Sequence, residues 1–108
     1  MSKTKMIWGA VNGNGTIQAG SGFRVLPVPG RTGYMDVIFL SPFAGMPVVT
    51  VTQNFPGWND WNYYNGDTRD NAVLVAVNAS QCRVLTGDSS GRASRRNFTF
   101  TAIGPAFT

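Results

Sequence analysis

The sequence predicts an all-β fold, a single antiparallel β-sandwich of about 7–8 short strands. Three observations lead there. Apolar residues recur in alternation rather than at helical spacing, so the runs read as strands with one buried face. Turn signals built from Gly, Pro and Asn recur at roughly ten-residue spacing. Helix-forming residues are scarce, since the chain has no Glu and its only lysines are Lys3 and Lys5.

The elements follow in order. Residues 1–5 read as a flexible polar N-terminal arm, and residues 6–108 as one domain. Met6 to Val11 is a short apolar run that ends at Asn12-Gly13-Asn14-Gly15, a tight-hairpin signal. Thr16 to Ala19 pairs back. After Gly20-Ser21-Gly22, Phe23 and Val25 start a strand that Pro27 and Pro29 stop. Tyr34 to Leu40 is the clearest strand, with Met35, Val37 and Phe39 on one face, and Phe43 follows as a plug for one end of the sandwich. Pro47 opens the next, with Val49 and Val51 inward. Residues 54–70 form a long polar and aromatic loop. Asn71 to Asn78 is a strand with Val73, Val75 and Val77 inward, and Cys82 to Thr86 is another with Cys82 and Val84 inward. Asn97 to Ile103 closes the fold, with Phe98, Phe100 and Ala102 inward.

Several strands also carry apolar residues opposite the expected core: Tyr34, Ile38, Leu40, Leu74, Ala76 and Ile103. A sandwich that stands alone places polar residues there. This second apolar face predicts cover by other subunits or by a terminal segment. Tyr34, Ile38, Leu40, Leu74 and Ile103 are the expected oligomer interface, and rotational symmetry predicts a ring of three or six.

Composition excludes several function classes. Without His there is no imidazole base, no His-ligated zinc and no Ser-His-Asp triad. One Cys allows no internal disulfide, and Cys82 reads as a small core residue. No apolar run approaches ~18 residues, so no helical membrane span is expected. The net charge of +4 comes from nine cations over five Asp, in a chain with only 13% charged residues. Arg92, Arg95 and Arg96 form a small cationic patch that reads as a solvated turn or an intersubunit pair to Asp88, so nucleic-acid binding is not expected.

The densest constellation is the 55–70 loop: Phe55, Trp58, Asp60, Trp61, Tyr63, Tyr64, Asp67, Arg69 and Asp70. Aromatic faces stack on sugar rings while Asp, Asn and Arg bond hydroxyls. Trp, Tyr and Arg are also the residues richest at protein hot spots. The loop therefore supports a glycan site, a subunit or virion contact, or a cap folded back on the sandwich. Trp58, Asp60, Trp61, Tyr63, Tyr64, Asp67, Arg69 and Asp70 are the candidate ligand or partner contacts. Asp60, Asp67 and Asp70 match no calcium loop, and no metal, catalytic residue or cofactor is expected.

Thr32-Gly33, Asp36-Val37, Phe39, Ser41-Pro42-Phe43, Pro47-Val48-Val49 and Val51-Thr52 follow one another at a characteristic spacing. Thr68-Arg69-Asp70-Asn71-Ala72-Val73, Cys82 to Gly87 and Phe98 to Pro105 continue it. In these motifs the chain resembles a small β-sandwich knob module of bacteriophage and bacterial fibre and virion-surface proteins. More loosely it is similar to the H-type lectin domain. The resemblance spans about residues 20–105, and Cys82 stands where the module often has an aromatic residue. It implies a homotrimer with a non-enzymatic role on a virion surface, as a capsid decoration or cement protein or a fibre knob. The implied partner is a major capsid or fibre protein. The alternative is a soluble lectin that uses the aromatic loop on a surface glycan.

Overall fold

The computed structural model describes residues 3–62 and 64–108. Eight strands run in chain order: β1 (Lys3–Val11), β2 (Ile17–Gly20), β3 (Phe23–Pro27), β4 (Tyr34–Phe39), β5 (Val48–Gln53), β6 (Ala72–Val77), β7 (Gln81–Thr86) and β8 (Phe98–Ala106). They form two four-stranded antiparallel sheets, ordered β2-β1-β8-β5 and β3-β4-β7-β6. The fold is all-β, as the alternation predicts.

One layer of side chains lies between the sheets. Ile7, Val11, Phe98, Phe100 and Ala102 enter it from one sheet, and Phe23, Met35, Val37, Phe39, Cys82 and Val84 from the other. The sheets meet through aromatic edges: the Phe23 and Phe100 rings lie 4.8 Å apart at 86°. Gly9 makes room for that contact, because a Cβ there would lie 2.3 Å from Phe23 Cζ. Phe43, 1% exposed, packs edge-on against Phe39 at 5.2 Å. Gly33 takes φ +87° just before β4, and a side chain there would meet the Thr86 carbonyl at 2.8 Å.

Three features differ from expectation. First, residues 3–5, expected in a flexible arm, lie in a strand. Lys3, Thr4 and Lys5 belong to β1 and pair with Ala106, Pro105 and Gly104, because β8 runs past Ile103. Lys5 Nζ donates to the carbonyls of Ser41 and Pro42 and lies 4.9 Å from the Phe43 ring centroid, so it caps the core end. Second, β3 includes Pro27, which an edge strand tolerates because its outer N–H positions need no partner. Third, the faces of β6 are reversed at its start. Ala72, Leu74 and Val77 pack against the core, whereas Val73 and Val75 are nearly half exposed. A register shift between Leu74 and Ala76 inserts one extra residue and returns Val77 to the core side. Leu74, expected at an oligomer interface, is therefore a core residue.

Two outcomes follow. Leu74→Ala is expected to cost about 2 kcal/mol in urea unfolding, and Val75→Ala under about 1 kcal/mol. Burial pushes the Cys82 thiol up to about 12, with the Asp36 charge adding to the effect. The unfolded thiol ionises near about 8.5. Folding keeps the proton on, so this contribution is complete at neutral pH and is lost as pH rises from the unfolded value towards 12. Wild type should therefore lose stability more steeply than Cys82→Ala above about pH 9, as urea midpoints across that range would show.

Candidate functional site

The long β5–β6 connection is held at its root by the sandwich. Gln53 Nε2 donates to the Gly87 carbonyl at 2.8 Å, and Gly87 N–H donates to Gln53 Oε1 at 3.1 Å. Asn54 N–H donates to the Asn97 carbonyl at 2.8 Å. At the far end, Arg96 Nη1 lies 3.6 Å from Asp70 Oδ2. Successive tight turns then fold the loop on itself. Trp58 N–H donates to the Phe55 carbonyl, Asp60 N–H to Gly57, and Asp70 N–H to Asp67.

This path sorts the eight expected contact residues into groups. Trp58, Asp60, Trp61 and Tyr64 line one open hollow of about 280 Å³, together with Phe55, Gly57 and Asn65. Trp61 is 95% exposed and Tyr64 fully so, whereas Trp58 is 40% exposed. Asp67 and Asp70 line an adjoining hollow with Asn54, Phe55 and Asn65. Arg69 closes on Asp67: Nε donates to Oδ1 at 3.0 Å and Nη2 to Oδ2 at 2.7 Å. Tyr63 lies outside the described residues. Asn65 and Gly57 were not expected in the site. Both are small turn-forming residues: Gly57 lies between Phe55 and Trp58, and Asn65 between Tyr64 and Gly66.

The electrostatics separate the three aspartates. The Arg69 hydrogen bonds hold the Asp67 carboxyl down at about 2. Asp70 is tied to Arg96. Asp60, an exposed residue, uses Oδ1 to accept from Asn62 N–H at 3.1 Å and Asn62 Nδ2 at 3.2 Å. A glycosidase needs two carboxyl groups across one bond. Here one hollow holds Asp60 and the other holds the two partnered aspartates. At the β7–β8 turn, Arg92 pairs with Asp88 at 3.7 Å, and the Ser90 hydroxyl and Arg92 N–H hold the Asp88 carboxyl below its usual range.

The expected interface residues are distributed over both sheets. Tyr34 and Ile38 face outward from β4, beside the bidentate Arg83–Asp36 pair (2.6 and 2.9 Å) that crosses from β7. Leu40, 65% exposed, follows the end of β4. Ile103 faces outward from the other sheet. That second sheet carries outward residues that the sequence reading did not single out. Met6 and Trp8 are 57% and 55% exposed on β1, and Val48 is 73% exposed on β5. A shallow, mostly apolar hollow of about 400 Å³ lies there, walled by Met6, Trp8, Ala10, Ala19, Thr99, Thr101 and Trp58. Trp58 thus belongs to the loop site and to the sheet face at once. Alternation with buried Ile7 and Val11 was the available signal for Met6 and Trp8.

The chain matches no protein-family model, no curated protein and no solved structure.

The Asp67 carboxyl provides a direct check on the loop geometry. Its side-chain carbon resonance should titrate near 2 in wild type. In Arg69→Gln the midpoint should move up towards the ordinary value of about 3.9.

Proposed function

We propose that this chain is a non-enzymatic structural and binding protein of a bacteriophage virion surface, a capsid decoration protein or fibre knob. It works as a symmetric homotrimer that holds out the 55–70 loop to a major capsid or fibre protein. The observation that carries this reading is the pair Trp61 and Tyr64, fully or almost fully exposed on a loop rooted by Gln53 and Asp70. Exposed aromatics on a fixed loop are the kind of anchor that dominates protein contacts, and they lose little conformational entropy on binding. The resemblance of its strand and turn motifs to the knob module supports a virion role. The absence of His and Glu, and the commitment of Asp67 and Asp70 to arginines, support a passive role.

A second reading has one observation of its own in its favour. Asp60 and Asn65 line the same hollow as Trp61 and Tyr64. A carboxylate and an amide beside aromatic faces suit a sugar ring, one apolar side stacked and its hydroxyls hydrogen-bonded. In this reading the loop recognises a surface glycan.

Particles of the encoding phage, purified from a strain that lacks this gene, separate the two. The virion reading predicts that added protein sediments with the particles. Trp61→Ala with Tyr64→Ala should weaken that association at least ~30-fold, equivalent to about 2 kcal/mol, with an unchanged melting temperature. No association with the particles, together with saturable binding on a glycan array that the same double variant abolishes, would replace it with the lectin reading.

A further inference from the structure

We propose that the outer face of the β2-β1-β8-β5 sheet is covered by a second copy of this chain. Trp8 is the anchor of that contact. The inference rests on the oligomeric reading above and assigns it a surface.

Charge selects the occupant. The outward positions of this sheet's three longer strands are Thr4, Met6, Trp8 and the covered Ala10 on β1, Thr99, Thr101, Ile103 and Pro105 on β8, and Val48, Thr50 and Thr52 on β5, and Ala19 of β2 lies beside Ala10. None of them is ionisable, although the chain carries a net charge of +4. Arg24, Asp36 and Arg83 lie instead on the outer face of the other sheet. Two copies of a cationic chain repel, and they approach at least cost through surfaces without charge. An anionic partner or an anionic membrane would be drawn to the arginine-bearing surfaces and would gain nothing here.

Area and shape agree. Half-exposed Met6, Trp8 and Trp58 with Val48 and Ile103 leave a contiguous apolar patch of several hundred Å², at the size that marks an interaction site. The threonine rows beside it extend the uncharged surface towards the ~800 Å² that each partner gives to a standard interface. The register sets the relief. Trp8 and Thr50 flank Thr101 from opposite sides, as Met6 and Val48 flank Ile103. A bulky row on β1 therefore lies across β8 from a short row on β5, and the hollow beside Trp8 reaches from β1 and β8 to Trp58 of the loop. The Met6–Trp8 row of one copy packs on the Val48–Thr50 row of the next, large against small. Because Trp58 walls this hollow too, the contact also braces the root of the aromatic loop.

Sedimentation velocity on the full chain, over a concentration series, tests this with three variants. Val48→Lys is on an edge strand and 73% exposed, so it adds charge to the face without touching the core. Trp8→Ser removes the anchor. Val73→Lys places the same charge on the edge of the opposite sheet. The expected result is an oligomeric wild type, an oligomeric Val73→Lys, and self-association weakened at least ~30-fold in Val48→Lys and Trp8→Ser. If Val73→Lys dissociates while Val48→Lys does not, the face is wrong and the oligomer stands. If wild type is monomeric up to about 100 µM, below which specific oligomers form, both readings fall. Circular dichroism on each variant confirms folding, and a misfolded Trp8→Ser leaves Val48→Lys to decide.

Discussion

Two four-stranded sheets enclose one layer of side chains, and that layer is all the interior this chain has. Each strand can send only alternate residues into it. The layer takes five of the seven phenylalanines, Met35, Cys82 and the inward valines. With 43% of the chain hydrophobic, apolar residues remain for the outer faces, and they are not scattered evenly. One outer face carries the Arg83–Asp36 pair among Tyr34 and Ile38. The other carries Met6, Trp8, Val48 and Ile103 among threonines, with no charged side chain among its described outward positions. The thinness of the sandwich thus turns an ordinary composition into an asymmetric surface.

The loop depends on the same frame. Its root is gripped by Gln53 and Gly87, at the place where β5 and the β7–β8 connection come together. Its exit is held by Arg96 and Asp70. Between these points the described residues fold through local turns, so the frame positions the loop while Trp61 and Tyr64 stay exposed. Trp58 leans onto the uncharged sheet face, and Trp61 and Tyr64 stay in solvent. Local Asp67–Arg69 and Asp60–Asn62 contacts shape the loop and add little to stability, since exposed ion pairs are screened.

Most of the architecture was legible because period-two patterning and turn chemistry agreed. Met35, Val37 and Phe39 alternate cleanly, and β4 lies where that pattern puts it. The misreadings share a physical cause. In β6 every residue from Ala72 to Val77 is apolar, so alternation has no contrast to report, and a one-residue bulge shifts the phase part-way. In β1 the polar start Lys3-Thr4-Lys5 resembled an arm, because pairing with a distant strand leaves no local trace. The aromatic loop was legible as a cluster. Its division into two hollows was not, since that depends on which arginine each aspartate meets. Arg69 lies two residues from Asp67, whereas Arg96 reaches Asp70 only through the fold.

The account stands on the claim that the uncharged sheet face is an interior surface of an assembly. Small-angle X-ray scattering at several concentrations measures this most directly. A single chain has a mass of 11.6 kDa and a Cα radius of gyration of 14.2 Å. A homotrimer gives a scattering mass three times the first value and a radius clearly above the second. A mass of one chain with a radius near 14.2 Å at every concentration would contradict it.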